Sequence, residues 1–322
     1  MSHTAERKDQ IWRVIDIIKW GEDYFQSKGF ESPKREIEWL LCDLLNYKRI
    51  DLYVQFEESI SPIKLNQLRG WVKRRVSREP LQYITGQTEF YGHPFKVTTD
   101  VLIPRPETER LVDVALHTIG NITHPKVLEV GAGSGCIAVS IGAEKSDAAI
   151  LSIDVSKAAI QMAQKNAKLN KIENIEFSHM DFLNDLPKGQ FDLLVSNPPY
   201  IPENEVKETM PEVHQHEPEI ALTDQKDGLT FYRRIAEVIT NLVKPGGWAV
   251  MEVGLGEHPE KALGIFKSAG FNNYELIQDF KLSAVNPIRD KITKLLKSRF
   301  RIHHITLQFE YDPKHSKELI NE

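Results

Sequence analysis

VLEVGAGSGCIAV, residues 127–139, runs an apolar strand-like stretch into Gly131, Gly133 and Gly135 and out again into a helix-forming segment. Glycines let a backbone turn through positive φ and approach a ligand closely, and the helix that follows presents unpaired N–H groups at its start. Strand, glycine turn and helix in that order open a parallel α/β sheet. The pattern continues outward as AAILSID then SKAAIQMAQKNAKLN, IEFSHMD, FDLLVSN, TFYRRIAEVITNLVK, WAVMEVG and PEKALGIFKSAGF. Continuous apolar strands alternating with helices call for a sheet covered on both faces. The fold class is α/β, a doubly wound domain expected to begin near residue 100.

Upstream the period changes to that of helices. IWRVIDIIKWGEDYFQSKGF (residues 11–30) spaces Trp12, Ile15, Ile18 or Lys19, and Tyr24 or Phe25 near 3.6 residues and stops at Gly29. SPKREIEWLLCDLLNYK starts with Ser32 as N-cap, Pro33 at the first helical position and Glu36 in the first turn, and Ser61-Pro62 repeats that start. These segments predict a small helical bundle over residues 1–80. In LQYITGQTEFYGHPFKVTTDVLI, residues 81–103, Gly86 and Gly92-His93-Pro94 punctuate short β-prone runs, which predicts a hairpin linker. The α/β domain is expected over 104–282 and an extension over 283–322.

Composition narrows the function classes. The chain has 322 residues, 41% hydrophobic and 27% charged, enough to bury a sizeable core. It holds no long apolar run, its first ten residues lack the apolar stretch of a secretory signal, and Glu6 and Asp9 argue against a transit peptide. Cys42 and Cys136 are far apart and without metal-ligand spacing, so the expected compartment is the reducing cytoplasm. A net charge of −5 disfavours indiscriminate or stable nucleic-acid binding and points to a protein or small-molecule partner.

Taken alone, the glycine turn with Ala132 and Gly133 at its centre suits a dinucleotide site, a methyl-transfer site or a turn that binds nothing. Its spacing is G-x-G-x-G, and Glu129 stands two residues before the first glycine. A carboxylate there repels a pyrophosphate and suits cationic groups such as the ammonium and sulfonium of S-adenosylmethionine. Asp154 ends the next strand, where an acid can accept both ribose hydroxyl protons; the alternative is a simple N-cap, with Ser156 competing. Asp181 follows the third strand and can accept an adenine amino group while Phe182 packs on the ring; the alternative is an ordinary loop acid. Three acids at successive strand ends behind one glycine turn outline an adenosine-containing ligand.

FDLLVSNPPYIPE, residues 191–203, then stops a buried strand with Asn197-Pro198-Pro199-Tyr200. Prolines fix φ and remove backbone donors, so the Asn197 side chain and the Pro198 carbonyl can face a cavity as acceptors. Such a pair grips a planar NH2 group by both hydrogens and favours the charge-developing nitrogen of a transition state. Tyr200 is expected to stack on a flat substrate; a strand-terminating turn with a surface tyrosine is the alternative.

With these residues in hand the chain resembles the HemK/PrmC family of peptide chain release factor glutamine N5-methyltransferases. N-P-P-Y is shared with DNA adenine methyltransferases, but REPLQYITGQTEFYG (78–92), LIPRPETE (102–109), HEPEIAL (216–222) and DGLTFYRRI look like the release-factor family. The resemblance covers about residues 8–280. It implies a Rossmann-like class I methyltransferase domain using S-adenosylmethionine, and a helical bundle that helps hold the release factor. Carried over, Asn197 and Pro198 hold the glutamine amide, with Pro199 beside them, Tyr200 lines its pocket, and Phe90 and Arg105 flank the site. Glu129, Gly131, Ala132, Gly133, Gly135, Asp154, Asp181, Phe182 and Asn197 bind the cofactor. A monomer is expected.

Other features point to less. His214 and His216 in a polar loop lack further ligands at metal spacing, so no metal is expected. Lys73-Arg74-Arg75 reads as a solvated helix face or as a docking patch. Beyond NYELIQDF the chain departs from the family: Ile305, Leu307, Phe309 and Tyr311 alternate with polar residues, an atypical extension able to supply the closing antiparallel strand. Two rivals remain, an adenine N6-methyltransferase and a silent adaptor that binds a release factor or ribosome.

Overall fold

The computed structural model describes residues 11–271 and 273–278, with 305–310 described by their backbone. The remainder of the 283–322 extension lies outside the described residues, His303 and His304 included. The chain divides into two compact units: residues up to Gly86 together with Pro211–His216, and residues 87–210 together with the chain from Glu217 onward.

The first unit consists of α1 (Val14–Ser27), α2 (Pro33–Leu45), α3 (Asp51–Val54), α4 (Pro62–Val76) and α5 (Leu81–Thr85), joined by the short helix α9 (Pro211–His214). Ile17, Phe25, Ile37, Leu40, Leu41 and Leu52 form its core. Gly21 lets α1 and α2 come together, since a Cβ there would lie 2.3 Å from Ile37 Cγ1. The basic run on α4 is largely consumed at home. Arg75 is buried and pairs with Glu36 at 2.6 Å and Glu212 at 3.1 Å, while Arg74 pairs with Glu79. Arg75 is thus neither solvated helix face nor docking patch; its aliphatic stem and charge are both used in packing.

The second unit opens with the hairpin β1 (Gln87–Phe90) and β2 (His93–Lys96). Asn166 fixes it to the α/β body, accepting from the Lys96 amide at 2.8 Å and donating to the Lys96 carbonyl at 2.9 Å. Then come α6 (Glu109–Ile119), β3 (Lys126–Val130), α7 (Cys136–Glu144), β4 (Ala149–Asp154), α8 (Lys157–Leu169), β5 (Ile175–His179), β6 (Phe191–Ser196), α10 (Glu219–Leu222), α11 (Thr230–Leu242), β7 (Val243–Val253), α12 (His258–Ser268), β8 (Tyr274–Gln278) and β9 (Ile305–Glu310).

Among the described residues the main sheet has the order β5-β4-β3-β6-β7-β9-β8, parallel from β5 to β7. Strand β9, from the atypical extension, enters antiparallel between β7 and β8. Alternate residues face opposite layers: Leu128, Val130, Leu194 and Met251 join the core under α11 and α12, whereas Val127, Leu193, Val195 and Val250 join the one under α6 and α7. The chain leaves β3 toward β4 and β5 and returns to β6 on the other side. That reversal opens a crevice at the carboxyl ends of β3 and β6, where open α/β sheets bind ligands.

Candidate active site

A cavity of about 380 Å³ occupies that crevice, all of its lining drawn from the α/β unit. Gly131, Ala132 and Gly133 form one wall, Asp154, Asp181 and Phe182 another, and Asn197, Pro198, Pro199 and Arg105 a third. A second cleft, of about 420 Å³, lies at the amino-terminal ends of β3, β4, β5 and β6, away from all of these residues.

Local sequence explains the first wall. Gly131, Gly133 and Gly135 have φ of +90°, +52° and +81°, conformations that L side chains rarely adopt. Gly131 and Ala132 donate their amides to the Ile153 carbonyl at 2.9 and 3.0 Å, and the Gly133 amide donates to Asp154 Oδ2 at 2.9 Å. Gly135 does not line the cavity. It is the N-cap of α7, and a Cβ there would sit 2.9 Å from Ala163 Cβ, so its absence lets α7 lie against α8.

The acids divide into two kinds. Asp154 reaches the cavity while Oδ1 accepts the Ser156 amide at 2.8 Å; burial pushes its pKa up, opposed by its two backbone donors. It is not the N-cap of α8, because Ser156 takes that role, its side chain accepting from the Ala159 amide at 3.2 Å. Asp181 lies just beyond β5, accepts from the Leu183 amide at 3.0 Å and from Asn184 Nδ2 at 2.7 Å, and retains lone pairs for a ligand. Glu129 is fully buried and absent from the lining, with Ser152 Oγ donating to its Oε2 and no hydrogen-bond partner on Oε1. Burial pushes its pKa up to about 8.

These features fit an adenosine ligand bearing a cationic group. Apolar walls from Ile137, Ile153 and Met180 accommodate a base and a ribose, Asp154 and Asp181 offer acceptors, and the buried Glu129 carboxyl next to the glycine turn ionises more readily when a positive charge lies near it.

The turn after β6 is held from behind. Asn197 Nδ2 donates to Thr108 Oγ1 at 3.2 Å, which leaves Oδ1 as the free end of the amide. Gly228, at φ +76°, passes so close that a Cβ would lie 2.2 Å from the Tyr200 carbonyl oxygen. His258 braces the same region: Nδ1 accepts the Gly254 amide at 3.2 Å, so Nε2 carries the hydrogen donated to the Gly228 carbonyl at 3.0 Å. Burial lowers the His258 pKa, in keeping with that neutral form. We predict that Gly228→Ala costs about 1–3 kcal/mol in urea unfolding, since both the dihedral and the backbone contact oppose it. Wild-type stability in that variant would mean that the turn yields freely.

Besides Gly135 and Glu129, two more expected positions lie off the cavity lining. Phe90 does not flank the cavity: it is 1% exposed and packs edge-on against Phe95 in the core under α6 and α7, because the hairpin folds that face inward. Tyr200 is not among the lining residues; its hydroxyl donates to Glu252 Oε1 at 3.2 Å, and its ring lies beside His258. Burial and the Glu252 charge push its pKa well up. Arg105 does line the cavity and pairs with the buried Glu217. Cys136 lines it too, but burial pushes its thiol up to about 12, which leaves it unreactive. Among the described residues no group of His, Cys, Asp or Glu side chains is placed to hold a metal ion.

Thr108 and Glu252 are the site residues that sequence reasoning missed. Thr108 sits inside the quoted LIPRPETE, and Glu252 is the one charge in the apolar run WAVMEV, a signal that was legible.

Comparison with known proteins agrees with this architecture. Residues 16–86 match the family model described as PrmC N-terminal domain, and residues 110–216 match the Methyltransferase small domain. The chain is 41% identical to a release factor glutamine methyltransferase of Geobacter sulfurreducens over 84% of its own length and 94% of the relative's. It is 34% identical to the protein of that name from Chlorobaculum tepidum, over 85% and 95%. Among solved structures, the catalytic domain of human Mettl16 in complex with a MAT2A 3′UTR hairpin superposes with a TM-score of 0.55 at 14% identity, covering 91% of this chain and 92% of that one. That likeness concerns the fold alone.

Proposed function

The chain belongs to the family of release factor glutamine methyltransferases, and from that membership we propose that it methylates the side-chain N5 of the glutamine in the Gly-Gly-Gln motif of a peptide chain release factor. S-adenosylmethionine, when bound, supplies an electrophilic methyl group on a sulfonium. Transfer of that methyl to the substrate nitrogen would leave the cofactor as a neutral thioether and release the nitrogen's proton to solvent.

This chain's residues position and polarise. The Asn197 Oδ1 and the Pro198 carbonyl accept the two amide hydrogens, which aims the nitrogen lone pair at the methyl carbon and stabilises positive charge developing on nitrogen. Asp154 and Asp181 take the ribose hydroxyls and the adenine amino group, and the Gly131–Gly133 turn lets the backbone close on the ligand. Arg105, on the lining, is held by Glu217 at the substrate side. The observation that carries the reading is the Asn197 amide, turned with Nδ2 onto Thr108 so that an acceptor is left for the substrate.

Among the described residues no helix is long and apolar enough to cross a membrane, and with a translation factor as substrate the proposed compartment is the cytoplasm. The test is transfer of labelled methyl from S-adenosylmethionine to the organism's own release factor. Label is expected in the wild-type factor and neither in a Gly-Gly-Ala variant nor in adenine-containing oligonucleotides. Equal labelling of the Gly-Gly-Ala factor would overturn the substrate assignment.

A further inference from the structure

A buried relay of hydrogen bonds decides which end of the Asn197 amide faces the cavity. Thr108 and Glu252 are 3% and 1% exposed. Thr108 Oγ1 donates to Glu252 Oε2 at 2.7 Å, Tyr200 donates to Oε1 of the same carboxylate at 3.2 Å, and the Tyr232 hydroxyl donates to the Glu252 carbonyl at 2.7 Å. A threonine hydroxyl has a single hydrogen, and here it is directed to Glu252 Oε2. With that hydrogen committed to Glu252, Thr108 offers Asn197 nothing but lone pairs. Only the NH2 end of the Asn197 amide can meet them, as the 3.2 Å contact from Nδ2 shows.

The constraint matters because the terminal torsion of asparagine is broad and roughly two-fold, so its two ends exchange by a half-turn. In the flipped orientation Asn197 would present N–H donors to a substrate group that is itself an NH2. We propose that Thr108 and Glu252 are positioning residues that hold the Asn197 oxygen toward the substrate amide, Glu252 acting by fixing the direction of the Thr108 hydroxyl. Tyr200 belongs to the same relay through the other carboxylate oxygen. The proposal rests on the reading of Asn197 as the amide acceptor.

The experiment compares wild type with Thr108→Val, Thr108→Ser, Glu252→Gln and the double variant Thr108→Val/Glu252→Gln, reading kcat and KM on the release factor, S-adenosylmethionine affinity by calorimetry, and thermal midpoint. Thr108→Val keeps the side-chain shape and removes the hydroxyl. It is expected to lower kcat by about 10- to 100-fold, as a misplaced positioning group does, with cofactor affinity and midpoint little changed. Thr108→Ser restores most of the loss, because it returns the hydroxyl. Glu252→Gln falls to a similar level, and the double variant is no worse than the weaker single one, since both act through one orientation. Undiminished kcat in Thr108→Val, a Thr108→Ser no better than Thr108→Val, or losses that multiply in the double variant would each overturn the proposal. Should Glu252→Gln unfold, the Thr108 pair decides alone. A wild-type protein that leaves the release factor unmethylated overturns the functional reading and this relay with it; an active wild type matched by Thr108→Val overturns the relay only.

Discussion

Asn197→Ala is expected to lower methyl transfer to the release factor by about 10²- to 10³-fold, the scale on which a pre-aimed hydrogen-bonding group at a developing charge contributes. The substitution deletes the proposed acceptor, and the Pro198 carbonyl alone cannot keep the substrate nitrogen from rotating its lone pair away. Cofactor affinity is expected to stay near wild type, because the walls made by the glycine turn, Asp154 and Asp181 are built from β3, β4 and the segment after β5. Asn197→Asp makes the comparison sharper. It keeps an oxygen on the cavity side but turns a second oxygen onto Thr108, whose hydrogen is already given to Glu252. Two acceptors then face each other in a partly buried site, so this variant too should be slow. The measurement is single-turnover transfer alongside calorimetric titration with S-adenosylmethionine. Joint loss of transfer and cofactor binding in Asn197→Ala would place Asn197 in the cofactor site and not on the amide.

Glu129→Gln is expected to change the pH dependence of stability more than its magnitude at low pH. Glu129 has its pKa raised by burial to about 8 from an ordinary 4.5, with the Asp154 charge adding to the rise and Ser152 opposing it. A carboxyl raised in the folded state binds its proton there while the unfolded chain has released it. Its contribution to stability is therefore fully present below the unfolded pKa and falls as pH rises through the folded one, by about 1.4 kcal/mol per unit. Between pH 6 and pH 8 the wild type should lose roughly 2–3 kcal/mol that the glutamine variant keeps, because an amide does not titrate. All other groups cancel in the difference between the two proteins. Urea unfolding of both at the two pH values checks this; a difference independent of pH would mean that Glu129 is ionised in the native protein across that range.

How far the sequence could be read differed from place to place, for physical reasons. The glycine turn, Asp154, Asp181 and Asn197-Pro198 were legible because each is tied to a strand end, and strand ends in a doubly wound sheet converge on one edge. Helix starts at Ser32-Pro33 and Ser61-Pro62 were legible because a proline at the first helical position is a local signal: α2 and α4 begin at those prolines, and Ser61 also accepts the Lys64 amide. Phe90 was misplaced because a four-residue strand has two faces, and which one is buried depends on the helices that meet the hairpin. Tyr200 was misplaced because no periodicity governs side chains after two consecutive prolines. Its direction is set by Gly254, which leaves the ring room, and by Glu252, which accepts its hydroxyl hydrogen.

The order of elements, the turn chemistry and the residue types brought to the crevice at the sheet edge were determined by the sequence itself, since hydrophobic period, glycine and proline act over a few residues. The orientation of the Asn197 amide, the full burial of Glu129 and the placement of Thr108 against Glu252, 144 residues away, were decided only by the tertiary structure. A hydrogen bond's direction and a charge's desolvation depend on which groups fold together in space, and local sequence carries neither.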